Sequence, residues 1–263
     1  MLKFGMPTLI ETATIEECAA LCRDCGLQFI EMNMNLPQYQ VQAMDAAHLK
    51  KVAAQYGISY TIHLDETMNI ADFNPYIREA HIRTTLETIE LAKQLEIPVL
   101  NMHMPLGVYF TLPERKVFLL GEYQDEYRKN AEQFRDACTA AVVDAGIIIC
   151  IENWAGYKPW QVPVLDTMLE SPAFGLTFDV GHNFCIGNQD EPVILGRKQR
   201  LRHMHLHDVR EGTRDHQALG TGDLDIEKCL NRAREQNCTV VVETKTIAGL
   251  RQSARWLQEK DLL

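Results

Sequence analysis

The sequence has no uninterrupted apolar run of the roughly 18 residues that a membrane crossing needs. Its first residues also lack the basic stretch and long apolar segment of a secretory signal. Basic residues are the minority, because 26 Lys and Arg stand against 36 Asp and Glu and give a formal net charge of −10. A protein that grips nucleic acid usually carries a basic face, so nucleic acid is not an expected partner. We therefore expect a cytoplasmic protein without membrane association whose partner is a small-molecule substrate.

Two further absences narrow the choice of fold and chemistry. No G-x-G-x-x-G follows the first predicted strand, so a dinucleotide-binding fold lacks its usual support. Without an export signal, the eight cysteines are expected to be reduced rather than paired in disulfides. Cys22 and Cys25 form a C-x-x-C motif, which is compatible with a redox or metal pair. Together with Cys18 they fall at i, i+4 and i+7 of a helical pattern, which favours small buried residues facing a sheet.

Short apolar runs alternate with longer amphipathic runs along the chain. The apolar runs predict eight strands, at residues 2–8, 29–33, 59–63, 99–103, 147–152, 175–179, 203–207 and 239–243. The amphipathic runs predict eight helices, at residues 15–25, 45–56, 75–95, 124–145, 162–169, 192–198, 226–235 and 248–258. This alternation favours an α/β protein in which residues 1–263 form a single (β/α)8 TIM barrel with parallel strands.

The longest irregular stretch, residues 105–121, follows the fourth predicted strand. Active sites of such barrels are built from the loops after the strands. This stretch is therefore predicted to be a substrate lid rather than a linker.

Ionisable side chains stand at the C-terminal ends of six consecutive predicted strands: His63, His103, Glu152, Asp179 with His182, His205 with His207, and Glu243. A buried charge at the end of an apolar strand is costly without a partner. A cation at the barrel mouth lets carboxylates and neutral imidazoles converge there. We therefore predict that one divalent metal ion binds to four of them: Glu152, Asp179, His205 and Glu243. These ligands suit Mn²⁺, Mg²⁺, Co²⁺ or Zn²⁺.

Every histidine also has a simpler interpretation, since a lone buried histidine is usually a hydrogen-bonded core residue. We adopt that interpretation for His48 and His81, which lie in predicted helices. Strand periodicity places His203 and His207 on the same face as His205, at different depths. His207 or Asp208 is therefore a candidate for a position directly behind the metal ligands.

Two more residues close to strand ends are candidates for substrate binding. Trp154 could line a pocket or simply pack against a loop, because aromatic side chains bury large areas anywhere. Lys245 could bind a phosphate or a carboxylate, or be a solvated surface charge.

Five short motifs occur in order along the chain: Ile151-Glu152-Asn153, Phe178-Asp179-Val180-Gly181-His182, His205-Leu206-His207-Asp208, Leu219-Gly220-Thr221-Gly222 and Val242-Glu243. As a set they resemble the xylose isomerase-like barrel superfamily over nearly the whole chain. Its members include sugar isomerases and epimerases, inositol-catabolism enzymes, hydroxypyruvate isomerase and abasic-site nucleases of the endonuclease IV type. The resemblance implies that the four predicted ligands are the shared metal ligands. It also implies that Glu152 and Glu243 are an acid/base pair that removes and returns a proton on either face of an enediolate.

Four histidines match extra metal ligands of the nuclease members, which use three zinc ions: His63, His103, His182 and His216. In an enzyme with one ion, we expect these side chains to contact the substrate, and His182 matches a residue that often touches substrate oxygens. The nuclease pattern Asp-x-His appears here as Arg214-Asp215-His216, with the carboxylate displaced by one residue. The ketose epimerases carry a glutamate six residues after the first ligand, where this chain has Lys158.

The resemblance and the ligand set together predict a metal-dependent isomerase or epimerase of a small sugar, an inositol-derived ketone or a hydroxy-keto acid. A zinc-dependent phosphodiester hydrolase of the abasic-site nuclease type is the second hypothesis. A metal-binding barrel without catalysis is the third. The sequence leaves the oligomeric state open, a homo-oligomer included.

Overall fold

Eight parallel strands close into a barrel in a computed structural model that describes residues 2–263. The barrel strands are β1 (Lys3–Pro7), β2 (Phe29–Asn33), β3 (Ser59–His63), β4 (Val99–His103), β7 (Ile148–Glu152), β8 (Phe174–Asp179), β9 (Leu201–Leu206) and β12 (Thr239–Val242). Each pairs with the next in chain order, and β12 closes the barrel against β1 by placing Thr239 beside Lys3. The predicted (β/α)8 barrel with parallel strands is confirmed.

Helices surround the barrel and connect its strands. They are α1 (Ile15–Asp24), α2 (Ala46–Tyr56), α3 (Pro75–Leu95), α4 (Leu119–Glu122), α5 (Gln124–Ala141), α6 (Val162–Leu169), α7 (Val180–Cys185), α8 (Glu191–Leu195), α9 (Ile226–Glu235) and α10 (Ile247–Glu259). Single 3₁₀ turns span Pro37–Tyr39 and Lys198–Arg200. Within residues 2–263, no helix has both the length and the apolar character that crossing a membrane requires.

Local capping chemistry explains where several helices begin and end. The Thr14 side chain accepts a hydrogen bond from the backbone N–H of Glu17 and starts α1. The Asp45 side chain accepts from two backbone N–H groups at the start of α2. Gly57 ends α2 with φ = 67°, a left-handed conformation that glycine adopts without steric cost. The start of the first helix predicted at residue 15 and the end of the second predicted at residue 56 are therefore confirmed.

The three clustered cysteines lie where the helical pattern predicts. Cys18, Cys22 and Cys25 are all buried, and the Cys22 thiol lies 3.5 Å from the carbonyl oxygen of Phe29 in β2. Burial raises the pKa of the Cys18 thiol to about 11. These thiols are therefore packed against the sheet and poorly ionised at neutral pH.

Two segments depart from the predicted pattern. The stretch after β4, predicted to be irregular, contains an antiparallel hairpin of β5 (Tyr109–Thr111) and β6 (Lys116–Phe118), followed directly by α4. After β9, a second antiparallel hairpin joins β10 (Asp208–Arg210) to β11 (Arg214–Gln217). Strands of three or four residues are too short to show a period in sequence, which explains why neither hairpin is predicted.

Candidate metal centre

Four side chains converge at the C-terminal end of the barrel. Glu152 and Asp179 are the last residues of β7 and β8, His205 lies near the end of β9, and Glu243 directly follows β12. Each offers one ligand atom, and these atoms all lie within 4.8 Å of one another. Glu152, Asp179 and His205 are buried, whereas the Glu243 side chain keeps 12% of its surface exposed. The structure thus brings together the four residues that the sequence predicts as ligands.

The protein holds one oxygen of Glu152 and turns the other toward the centre. Oε2 accepts a short hydrogen bond from the side-chain amide of Asn101, whose own oxygen accepts from the Thr177 hydroxyl at 2.5 Å. The same Oε2 lies 3.3 Å from Nε2 of His63 and 3.5 Å from Nε2 of His103. Oε1 lies 3.2 Å from Nδ1 of His205. The interior of the barrel therefore sets the direction in which Glu152 presents its free oxygen.

In Asp179 and Glu243, likewise, one carboxylate oxygen is hydrogen-bonded to the protein and the other faces the centre. Oδ1 of Asp179 accepts from the backbone N–H of His182 at 2.7 Å, because Asp179 is also the N-cap of α7. Oε1 of Glu243 accepts from Nζ of Lys245 at 2.8 Å and lies 3.5 Å from Nε2 of His216. The second oxygens, Asp179 Oδ2 and Glu243 Oε2, are buried and have no hydrogen-bond partner within residues 2–263, although Asp179 Oδ2 lies 3.2 Å from Nδ1 of His182.

These unpartnered atoms provide a test of whether the residues fit a divalent ion. Nδ1 of His205 is also buried and has no hydrogen-bond partner in the described part of the chain, 3.2 Å from Glu243 Oε2 and 4.0 Å from Asp179 Oδ2. Buried polar atoms without partners are costly, and carboxylate oxygens and imidazole nitrogen are the donors that Mn²⁺, Co²⁺ and Zn²⁺ accept. The donor set therefore fits a divalent ion, and the assignment of the four residues as metal ligands stays a prediction.

The electrostatics of the cluster are consistent with a place for positive charge. Burial by itself would raise the pKa of the Glu152 and Glu243 carboxyls, but His205 outweighs burial and holds both pKa values well below their usual range. Burial would lower the pKa of His205, yet Glu152, Glu31 and Glu243 raise it well above its usual value. Positive charge on the His205 ring thus offsets the carboxylates, and a divalent cation bound at this point would take the place of its proton.

Two histidines and a tryptophan form one flank of the centre. His63 and His103 meet edge to face with ring centroids 4.9 Å apart, and both face Glu152. Burial would lower the pKa of His63, but the hydrogen bond to Glu152 and the negative charges of Glu152 and Glu31 together outweigh burial and raise this pKa to about 9. Trp154 stacks on His103 at 5.5 Å and donates its indole N–H to the carbonyl of Met104. These three predicted substrate-binding residues therefore lie beside the predicted ligands.

The opposite flank consists of three histidines around Asp179: His182, His207 and His216. His207 and His216 stack with ring centroids 4.2 Å apart, and Nδ1 of His207 accepts from the backbone N–H of His216. A Cβ on Gly181 would lie 2.0 Å from the His207 ring, so only glycine leaves room for this ring beside Asp179. The motif glycine thus has a packing reason that is specific to this histidine.

The displaced carboxylate of the Arg214-Asp215-His216 segment still reaches this flank. Asp215 lies 3.1 Å from Nδ1 of His216 and 3.8 Å from Nε2 of His182, whereas Arg214 points away and pairs with Glu211. His216 makes this possible with φ = 51°, a left-handed conformation that non-glycine residues seldom adopt. The hairpin of β10 and β11 therefore delivers an imidazole and a carboxylate to the same place.

Several buried polar residues beneath the centre were not singled out from the sequence. Glu31 in β2 and Asn101 in β4 are buried inside otherwise apolar strands, which is the signal that marks them. Glu31 contacts His203 and His205, and Asn101 holds Glu152. Their partners are distant in the chain, so sequence spacing does not reveal what they support.

Two cavities open beside the centre. One of about 420 Å³ is lined by His103, Trp154, Tyr109, Glu66 and Asp72, and its wall includes the start of the segment predicted to be a lid. The other, of about 190 Å³, is lined by side chains that include Lys245, Glu243 and Asn33. The predicted substrate-binding residues Trp154 and Lys245 thus border different cavities, on either side of the four ligands.

The fold and this strand-end cluster define a class of protein, the (β/α)8 barrel with an ionisable centre at its C-terminal face. A family profile described as xylose isomerase-like TIM barrel matches residues 19–260. The chain therefore belongs to that family, which confirms the resemblance carried by its motifs.

Two solved structures share the fold over almost their full length. A D-tagatose 3-epimerase-like protein superposes with a TM-score of 0.80 at 22% identity, covering 99% of this chain and 98% of that one. The 3-keto-D-glucoside 4-epimerase from E. coli superposes with a TM-score of 0.79 at 16% identity, covering 98% of this chain and 100% of that one. Among curated relatives, an uncharacterized protein of Methanocaldococcus jannaschii is 24% identical over 241 residues, which are 86% of this chain and 82% of the relative.

Proposed function

We propose that this protein is a divalent-metal-dependent isomerase or epimerase of a small ketose, a related polyol-derived ketone or a hydroxy-keto acid. The observation that carries the proposal is the convergence of Glu152, Asp179, His205 and Glu243, each with one atom turned to a common point. The family and the epimerase neighbours support a sugar-like substrate. Function within this barrel class depends on the site rather than on the fold, so the residues have to carry the chemistry.

The proposed reaction moves one proton between a carbon and two carboxylates. When bound, a divalent ion polarises the carbonyl and the neighbouring hydroxyl of the substrate and makes the α-proton more acidic. In our proposal one of Glu152 and Glu243 removes that proton from the carbon, which leaves an enediolate. The other returns a proton to the opposite face in an epimerase, or to the adjacent carbon in an isomerase. Although burial alone would raise them, the pKa values of both carboxyls lie well below their usual range, so the carboxylate that removes the proton is ionised. The carboxylate that returns a proton must first take it from solvent, and the first carboxylate releases its proton to solvent to complete the cycle.

The charge of the larger cavity favours one kind of substrate group. Glu66 and Asp72 line it, and no lysine or arginine among the described residues does. A phosphate placed there would meet two carboxylates without a counter-charge. Trp154 and Tyr109 offer aromatic faces to a sugar ring, and Glu66 and Asp72 offer acceptors to hydroxyl groups. We therefore propose that the part of the substrate in this cavity is uncharged.

The test is exchange of a substrate α-proton in deuterated solvent. The metal-free protein is loaded with Mn²⁺, Mg²⁺, Co²⁺ or Zn²⁺ in turn and incubated with a panel of ketoses, their phosphate esters and hydroxy-keto acids. Exchange is expected only with metal, and more with an unphosphorylated ketone than with its phosphate ester. The Glu152→Gln and Glu243→Gln variants should each lose about 10²–10⁴-fold of the rate, as expected when a general acid or base is removed.

A matched control separates chemistry from a general effect of losing a carboxylate. Glu90 is 62% exposed and pairs only with Lys93 on the surface of α3, so Glu90→Gln should exchange at the wild-type rate. If no panel member exchanges and Glu152→Gln behaves like Glu90→Gln, the isomerase proposal is wrong. Tight metal binding with no turnover of any kind would instead favour a non-catalytic metal-binding barrel.

A second candidate function is zinc-dependent phosphodiester hydrolysis. It is favoured by the two further potential ligand clusters that flank the centre, His63 with His103 and Glu152, and His182 with His207 and His216. A hydrolase built on them predicts two or three zinc ions per chain and cleavage of DNA at abasic sites. Elemental analysis that finds one ion per chain, together with intact abasic DNA, would exclude it.

A further inference from the structure

We propose that Glu31 is a positioning residue that sets the orientation of His205, so that Nδ1 of this imidazole faces the metal centre. Glu31 lies in the middle of β2 and is 2% exposed. Its Oε1 lies 2.8 Å from Nε2 of His205. The proposal rests on the metal centre of the proposed function and does not depend on the substrate.

Glu31 is itself fixed by residues from three other strands. Its Oε2 accepts hydrogen bonds from the Thr61 hydroxyl at 3.2 Å and from Nε2 of His203 at 3.0 Å. Nδ1 of His203 in turn lies 2.6 Å from the hydroxyl of Thr239. The groups that face Glu31 from these strands, the Thr61 hydroxyl and the ring nitrogens of His203 and His205, can all donate, so Glu31 acts as an acceptor toward each of them. One oxygen is thus committed to the scaffold, and the other is left for His205.

The consequence for His205 follows from the chemistry of imidazole. A neutral ring whose Nε2 carries the proton has its lone pair on Nδ1. That nitrogen lies 3.2 Å from both Glu152 Oε1 and Glu243 Oε2, at the point where the ligand atoms meet. Histidines that bind metal in proteins almost always donate their other N–H to a carboxylate, a carbonyl or water. Glu31 supplies that acceptor here.

The contact between His205 and Glu31 is close, but its geometry is not yet that of a hydrogen bond. Although Nε2 of His205 is only 2.8 Å from Glu31, its N–H is not aligned for a hydrogen bond. The proposal therefore includes a small rotation of the His205 ring when Nδ1 takes its ligand, which brings the N–H into line with Oε1. If Glu31 served only to neutralise His203, no such rotation of the His205 ring would be expected, because His203 contacts Oε2 of Glu31 and not Oε1.

The experiment is a Co²⁺ titration of the metal-free protein, followed by the visible absorption of the bound ion. Glu31→Gln removes the charge and keeps the shape, and Thr61→Val removes a hydrogen bond to the oxygen that does not face His205. Changes directly behind metal ligands typically cost about 10–100-fold in metal affinity, which is the loss expected for Glu31→Gln. Thr61→Val should bind Co²⁺ as tightly as the wild type, with both variants shown to be folded by circular dichroism.

The outcomes separate this proposal from the proposed function. Wild-type affinity in Glu31→Gln, or an equal loss in Thr61→Val, overturns the role of Glu31 and leaves the isomerase proposal standing. A wild-type protein that binds no Co²⁺ overturns both. Because the titration needs no substrate, the expected affinity loss supports the role of Glu31 even if no ketose is turned over.

A second measurement uses the wild type alone and covers the case in which Glu31→Gln does not fold. In the Zn²⁺-loaded protein, nitrogen–proton correlation spectra of the histidine rings should show His205 with its proton on Nε2 and its Nδ1 bound to metal. The Nε2 proton should be protected from exchange with solvent, since Glu31 and His205 are both buried. A His205 ring that binds through Nε2, or that carries a rapidly exchanging proton, contradicts the proposal.

Discussion

The change Asp179→Asn separates metal binding from folding more cleanly than a change at any other predicted ligand. Oδ1 of Asp179 accepts from the backbone N–H of His182 as the N-cap of α7, while Oδ2 has no hydrogen-bond partner. Asparagine caps helices about as well as aspartate, so an oxygen in the Oδ1 position is retained. The amide replaces Oδ2 and removes the charge that faces the centre. The Asp179 carboxylate also lies 3.2 Å from both His182 and His207, so metal-free Asp179→Asn should lose about 1–2 kcal/mol of stability relative to the metal-free wild type.

The expected effect of metal can be worked out from linkage. With free metal at 100 times the dissociation constant, binding stabilises the wild type by about 2.7 kcal/mol. For a chain of this size that corresponds to a rise in Tm of roughly 5–11 °C. Loss of a ligand should weaken binding by at least about 100-fold, the upper range for changes behind ligands. At the same metal concentration the variant then gains only about 0.4 kcal/mol, or roughly 1–2 °C.

The assay is thermal unfolding followed by circular dichroism, with a chelator and then with each candidate ion. The reasoning is refuted if Asp179→Asn gains the same Tm shift as the wild type on metal addition. It is also refuted if the metal-free variant is several kcal/mol less stable, because Asp179 would then be a structural residue. Glu90→Gln should reproduce both wild-type curves.

Two other predictions concern the packing around the site and the cysteines. In a Co²⁺ titration, Gly181→Ala should bind the ion more weakly than the wild type and should have a lower Tm, because its Cβ would collide with the His207 ring that lies beside Asp179. An unchanged affinity would show that His207 does not constrain Asp179. In native protein at pH 7.5, iodoacetamide should modify Cys185, the one partly exposed thiol among the eight, well before the seven buried ones, and all eight should react in denaturant. Burial raises the pKa of the buried thiols, to about 12 for Cys229 and Cys238, and so lowers their reactivity. The number of labels is counted by mass spectrometry.

Most of the barrel could be predicted because its signals are local. The apolar run that ends at Glu152 has the length and composition of a doubly buried strand, and Gly57 ends a helix by itself. The position of a residue at a strand end then implies proximity to other strand ends, since parallel strands in a barrel share one C-terminal face. This reasoning places Glu152, Asp179, His205 and Glu243 together without any knowledge of side-chain geometry.

The parts that could not be predicted depend on contacts between distant residues. β10 pairs with β11 through the Asp208–Gln217 register and through the contact between His207 and His216. The four residues of β11 are all charged or polar, so they show no apolar–polar alternation that would predict a strand. Glu31 stands out as a charge in an apolar strand, yet its two histidine partners lie on β9, which adjoins neither edge of β2 in the barrel. Only the closure of the barrel brings these groups together.

Most residues that wall the larger cavity differ from the buried residues that position the predicted metal ligands, and this has a consequence for redesign of the protein. Asn101, Thr177 and Glu31 contact the predicted ligands, directly or through one another, from inside the barrel. The larger cavity is walled by residues of the rim, including residues 105–108 and Tyr109 at the start of the hairpin of β5 and β6. An engineer can therefore exchange the hairpin segment to admit a different molecule without touching the groups that aim the ligands. A chain that keeps these buried supports can thus present a different wall to the larger cavity through the hairpin alone.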